Sequence, residues 1–389
     1  MFRKLTLIGN VFFLALFGCN SQNDLKELGG EFSHEKIKDY SGFRESSDSY
    51  YSFSPSNIEE AKKIIKFAYT NNIPIRFSGR NHSKNGYSLP KKNEYLIRTK
   101  NLATLEFIDE KSIKVGSGPS LNLVNRVLKK FNFELPVLNG GADGPSVGGY
   151  ISAGGMSPTS LENGGFWENV IEVTLVVENG EVLKLRPSDP IFPWLFGSMG
   201  QLGLIADAIL KIIPSKNGVG AKIPIGEILN LNSPEYFSES KITSSENPLY
   251  WINFIVKKEL GLKNKEEMEK LRLEFGDFFQ GNNLPIYNWD IKYKSFNPPL
   301  IFPEGQAFAL QGLFAQLKPQ FGPNDLLLLE KKAESLAKRF GLKRYIQAEL
   351  SNDSEVYKIN WGENFSKFYT IKKKLDPKFL FNQGLFKDF

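Results

Sequence analysis

Gly79, Arg80, Asn81, His82, Ser83, Lys84, Asn85 and Gly86 follow closely on an apolar, strand-prone run at residues 73–77. Glycine lets a backbone turn tightly and approach a ligand. A loop rich in backbone N–H groups that also carries an arginine suits a diphosphate. His82 lies inside this loop, and His34 is the only other histidine in the 389 residues. So few histidines exclude chemistry built on a histidine–metal cluster or a Ser-His triad. His82 is then either an incidental member of a surface turn or a group with a task specific to this loop.

The elements around the loop can be read from periodicity. Ser56-Asn57-Ile58-Glu59 reads as a capping box opening a helix with apolar positions at Ile58, Ala61, Ile64, Ile65 and Ala68. Short strand-like runs follow at 95–98, 105–108 and 112–115, and then a helix over 120–131. Residues 139–155 are glycine-rich. A hairpin is expected at 170–177 and 181–185 around Asn179-Gly180, then a short helix at 189–196 and a strand at 204–212. Pro214 to Gly218 marks a break. Beyond it, strands are expected at 250–256, 306–315 and 343–350, with helices at 265–279, 324–340 and 367–375. Strands and helices without strict alternation imply an α+β fold in both halves.

Composition narrows the function. The net charge of +6 is distributed along the chain, with lysines beside glutamates as at 263–274, a solvated pattern. No basic cluster interleaved with aromatics indicates a nucleic-acid partner. One cysteine, Cys19, allows no internal disulfide. Arg3 and Lys4 precede a short apolar stretch at 5–17, too short for a membrane span and arranged like a secretory signal. Leu16-Phe17-Gly18-Cys19 resembles a bacterial lipobox, which implies a lipidated Cys19 at the cell envelope, facing the periplasm or the surface, and membrane anchorage without a span.

The loop at 79–86 resembles the RGxGHSxNG loop of flavin oxidases of the vanillyl-alcohol oxidase type, most closely that of cytokinin dehydrogenases. In that family the loop wraps the FAD diphosphate and its histidine is bonded to the flavin, which implies covalent FAD on His82. Asn81 replaces the second family glycine, and asparagine tolerates positive φ. The segment SVGGYISAGG from Ser146 resembles the TVGG segment beneath the flavin, and GSMGQLGLIADAIL from Gly197 resembles the family's GGLGQFGVIT strand. The resemblance implies cofactor contacts from Gly79, Arg80, Asn81, His82, Ser83, Asn85, Gly86, Ser146, Val147, Gly149, Ser152, Gly154, Ile205 and Gln383, and no metal.

The second half resembles the cytokinin dehydrogenase substrate domain through YWINFIV from Tyr250, NPPLIFP from Asn297, Pro323-Asn324-Asp325-Leu326, Lys343-Arg344-Tyr345-Ile346 and the closing Leu375-Asp376-Pro377-Lys378 and Gln383-Gly384-Leu385-Phe386. Residues 218–246 match nothing in that pattern. Trp251 and Asn253 are candidates for the substrate wall or for core. Asp143 stands closest to the family's base, two residues nearer the following motif than the pattern has it, and reads equally as a turn residue of Gly-Ala-Asp-Gly. Tyr345 is the second candidate for catalysis.

The expected organisation is a signal at 1–18, a tether at 19–49, a two-subdomain PCMH-type FAD-binding domain at 50–214, an α+β substrate (cap) domain with an antiparallel sheet at 215–374, and a return to the first domain at 375–389. The expected activity is oxidation of a C–N bond in a secondary amine such as an N6-substituted adenine, by hydride transfer to flavin, with oxygen or a quinone-like acceptor. A sugar-alcohol or aldonolactone oxidase and a non-catalytic FAD- or ligand-binding lipoprotein are the alternatives.

Overall fold

The computed structural model describes residues 24–84, 86–139, 144–216, 220–236, 249–257, 266, 269–270, 273, 286–292, 296–302, 307–316, 318, 320–321, 323–345 and 354–384. The first sheet holds β1 (Glu31–Ser33), β2 (Tyr50–Phe53), β3 (Ile75–Ser78) and β4 (Tyr95–Arg98) in the order β1-β2-β4-β3. β2 and β3 run parallel to β4, and β1 is antiparallel to β2. The helix Ile58–Thr70 buries Ala61, Ile64, Ile65 and Ala68, the face expected from their spacing. Its cap lies one residue beyond the expected box. Asn57 Oδ1 accepts the Glu60 N–H at 3.0 Å, and the Glu60 carboxylate accepts the Ser56 N–H at 2.8 Å. Ser56 and Asn57 are both competent caps, and packing of the apolar face selects the second.

The second sheet is antiparallel throughout. After β5 (Thr104–Phe107) and β6 (Ser112–Gly116) comes a small ribbon strand β7 (Phe133–Glu134). The sheet continues with β8 (Val170–Val176), β9 (Val182–Leu185) and β10 (Leu204–Lys211), and β11 (Ile213–Pro214) pairs with β7. With β12 (Ile228–Asn230) the order is β12-β5-β6-β10-β8-β9. β8 and β9 are the expected hairpin, and Gly180 at its turn has φ +81°. Ser120 caps the helix Leu121–Lys130. β12 pairs with β5, and Leu231 is buried in the same core. The first unit therefore extends past the boundary expected at 214.

The cap sheet comprises β13 (Leu249–Lys257), β14 (Ile286–Lys292), β15 (Ala307–Gln316) and β16 (Lys343–Arg344), antiparallel in the order β14-β15-β13-β16. Alternation along β13 divides its side chains. Tyr250, Ile252, Phe254 and Val256 pack on Leu326, Leu329, Ala333 and Ala337 of the helix Pro323–Phe340. Ile255 points to the other face and joins the first unit's core. The helix expected at 265–279 and the later part of the strand expected at 343–350 fall largely outside the described residues. The helices Ser354–Trp361 and Asn364–Leu375 bury Tyr357, Trp361, Phe368 and Leu375 in the first unit's core, so the chain is back on that unit by about residue 357 rather than 375. Both units are α+β.

The tether expectation is corrected for residues 24–49. Leu25 is buried beside Phe53 and the first helix, and β1 completes the first sheet. Residues 38–44 lie across the loop at 79–86: Tyr40 donates its N–H to Ser83 O at 2.9 Å. The polar composition misled because this segment is held chiefly by hydrogen bonds and by Asp39, a charged side chain only 1% exposed.

Candidate cofactor site

The loop at 79–86, the segment at 145–153 and the turn at 199–205 converge on one cavity, with about 860 Å³ of space between them, open solvent included. Gly79, Arg80, Asn81, His82, Ser83, Ser146, Gly149, Ser152 and Ile205, nine of the residues named from the sequence, line it. A Cβ on Gly79 would lie 1.9 Å from Ser146 Oγ, so a larger residue there would separate loop from helix. Ser146 Oγ itself accepts the Gly149 N–H at 3.1 Å, capping the helix Val147–Ala153. Asn81 has φ +54°, the left-handed conformation for which the family pattern has glycine.

Other expected residues lie elsewhere. Val147 is fully buried in the core, and Gly86 is at the outer side of the loop against Arg44. Gly154 does not line the cavity. Its carbonyl accepts the Tyr345 hydroxyl at 3.1 Å. Tyr345 is 2% exposed and also donates its N–H to Asn253 O, at 3.1 Å. Trp251 stands edge-on to Tyr345 with ring centroids 6.1 Å apart, and Asn253 is fully buried. Trp251, Asn253 and Tyr345 thus meet one another, with Tyr345 at the end of the 147–153 helix, and none of the three lines the cavity. Asn85, Asp143 and Cys19 lie outside the described residues.

Gln383 is corrected by one residue. Its side chain donates to Phe379 O at 2.9 Å, and its carbonyl accepts from Arg76 at 2.7 Å. The cavity wall comes from Asn382, which accepts the Phe77 N–H at 2.9 Å and donates to Met199 O at 2.7 Å. A lone asparagine has no local signature by which to find it. Arg76 anchors the strand leading into the loop: its guanidinium meets both Glu94 oxygens, at 3.0 and 2.7 Å, with both side chains buried.

Behind Asn382 lies a second buried charge group. Lys372 Nζ donates to Gln201 O at 2.6 Å and to Asp376, and Asp376 accepts the N–H groups of Leu380 and Phe381 at 2.8 and 2.9 Å. Burial, and then the adjoining Asp376, push the Glu178 carboxyl from its ordinary 4.5 up to about 8. The fold favours protonated Glu178, so its contribution is complete below about pH 4.5 and lost as pH rises through 8. Glu178→Gln keeps the neutral form, so its urea midpoint should exceed that of the wild type at about pH 9 and lose that advantage toward about pH 4.5. Parallel pH profiles for the two proteins would rule this out.

Two cavity hydroxyls decide whether the site expects a polar ligand. Thr99 Oγ1 and Ser117 Oγ are buried, line the cavity and have no hydrogen-bond partner among the described residues. Leaving such a group unsatisfied costs about 1–3 kcal/mol. Residues 51–186, which include both, match the family model of the FAD binding domain. The glycine-cradled loop, Arg80 and the two hydroxyls fit a cofactor with a diphosphate and many hydroxyls.

The chain is 27% identical over 204 residues to D-arabinono-1,4-lactone oxidase of Candida glabrata, covering 50% of this chain and 37% of that protein. It is 24% identical to D-lactate dehydrogenase of Archaeoglobus fulgidus, over 41% of this chain and 38% of that protein. Cytokinin dehydrogenase 5 of Arabidopsis thaliana is 27% identical, over 42% and 32% respectively. The chain therefore spans well under half the length of these relatives. Among the described residues no three His, Cys, Asp or Glu side chains gather as a metal site, and no helix is long and apolar enough to cross a membrane.

Proposed function

We propose that the chain is an FAD-dependent oxidoreductase whose FAD is attached covalently through His82. The observation that carries this reading is the convergence of the His82 loop, the Ser146–Gly149 turn and two hydroxyls without a partner among the described residues on one cavity, within the segment that matches the FAD binding domain model. When bound, FAD supplies the acceptance of two electrons. The chain's residues supply the rest. Thr99 and Ser117 hydrogen-bond the cofactor, Arg80 balances its diphosphate, and Asn382 fixes the cavity wall.

The substrate is a secondary amine of the N6-substituted adenine type. The likeness to cytokinin dehydrogenase 5 supports this, as do the cap-domain motifs at 250–256 and 323–326. The cap presents Trp251 toward the first unit, and Asp143 accepts the substrate proton, since a carboxylate can act as general base when its environment raises its pKa. The Tyr345 hydroxyl holds Gly154, which makes it a positioning group. Aldonolactone oxidation is the second reading, supported by the likeness to the Candida enzyme over 50% of the chain. Electrons pass on to oxygen or a quinone-like acceptor.

A visible spectrum tests for flavin, and bleaching by isopentenyladenine, by an aldonolactone or by xylitol discriminates among the substrates. His82→Ala should release flavin on acid precipitation, whereas the wild type retains it. Free release from the wild type would refute the covalent bond alone. The same reading anchors the chain to the bacterial envelope through Cys19. Persistent detergent-phase partition of Cys19→Ala would refute that anchor.

A further inference from the structure

Residues 38–44 touch the His82 loop at Asn81, His82, Ser83, Lys84 and Gly86. Asn81 donates its side-chain amide to Lys38 O, Gly86 donates its N–H to Asp39 Oδ2 at 3.0 Å, and Arg44 Nη1 donates to Lys84 O at 2.7 Å. The Tyr40 ring is stacked on His82, with centroids 4.2 Å apart and planes at 23°. A Cβ on Gly86 would meet Arg44 Cδ at 2.9 Å, so the loop is shaped to this segment. The far side of the segment is tied to the cap: Arg44 Nη2 reaches Glu330 at 3.2 Å, and Phe43 packs on the cap cluster. Buried Lys84 completes the junction, with its ammonium 5.4 Å from the Tyr40 ring and 4.2 Å from that of Trp251.

We infer that residues 38–44 are a strap belonging to the cofactor site, with Tyr40 as the positioning residue for His82. The inference rests on the FAD reading above. Stacking removes rotation about the His82 side chain and holds the imidazole in one plane at the cavity wall. Asn81 acquires a purpose that a glycine could not serve. It keeps the left-handed backbone and at the same time ties the strap to the loop. The Arg44–Glu330 contact ties the strap to the cap helix as well as to the loop.

The test uses the presence of just two histidines in the chain. In full-length protein with 13C-labelled histidine, the ring current of Tyr40 shifts the His82 signal upfield. His34, edge-on to Phe32 at 4.8 Å, is the internal reference. Tyr40→Ala should move only the His82 signal downfield, and Tyr40→Phe should leave it in place. Capture of added FAD by apoprotein should slow roughly tenfold to a hundredfold in Tyr40→Ala, the scale of a displaced reacting group, and be restored in Tyr40→Phe. Asn81→Gly, which keeps the backbone and removes the tie, should slow capture in the same direction. An unmoved His82 signal, or Tyr40→Ala capture equal to wild type, would overturn the strap. Failure of the wild type to take up flavin would instead overturn the FAD reading, and the histidine spectrum would still judge the strap.

Discussion

Arg76→Met should destabilise the protein by about 3–5 kcal/mol, the range for breaking a buried ion pair from one side. Arg76 is 1% exposed and Glu94 is 4% exposed, and their contact is bidentate. Methionine is close in volume and leaves the Glu94 carboxylate buried, with the Lys91 N–H still donating to it at 2.8 Å. The Gln383 carbonyl loses its donor as well. The measurement is a urea denaturation midpoint at constant m-value. Arg76→Met combined with Glu94→Gln should recover a large part of the loss, because it removes the stranded charge. If the double variant is as unstable as the single one, lost packing rather than electrostatics sets the cost.

Asp143→Asn should slow flavin reduction by the preferred substrate about 10²–10⁴-fold, the usual effect of losing a general base. Flavin content should not change, since asparagine keeps the shape and removes only the charge. Asp143 is the only acidic residue between Glu134 and Glu162, ahead of the Ser146 segment that lines the cavity. Stopped-flow reduction is the direct reading. A rate within about threefold of wild type, well inside the expected effect, would make Asp143 a turn residue. Tyr345 could then serve only by giving up its bond to Gly154 O.

Features governed by neighbouring residues were legible in the sequence. The Asn179-Gly180 hairpin, the helix expected at 120–131 and the buried stripe of the first helix each depend on a few adjacent side chains. The cavity-lining part of the His82 loop was legible because glycine, arginine and histidine at fixed spacing describe a backbone shape. Features set by distant contacts were hidden. Asp39 and Arg44 look like tether residues until the loop and the cap helix surround them. Ile228 to Asn230 lies in the stretch 218–246 that matched nothing, and it becomes a strand because β5 offers an open edge. Thr99 and Ser117 are ordinary residues that stand out only because their hydroxyls lack a partner among the described residues. Gln383 was expected where Asn382 stands, since sequence spacing does not show which of two adjacent amides faces inward.

The Asn382 contact also sets an order of events during synthesis. Its oxygen accepts the N–H of Phe77, a residue 305 positions earlier. Loop closure over such a span is slow compared with local structure, and it cannot begin until the later residue exists. The nascent chain therefore carries β3 and the His82 loop through most of translation with one wall missing. A ribosome-stalled chain with residue 382 still inside the exit tunnel should leave FAD in solution, and the same chain carried clear of the tunnel by a C-terminal linker should take it up.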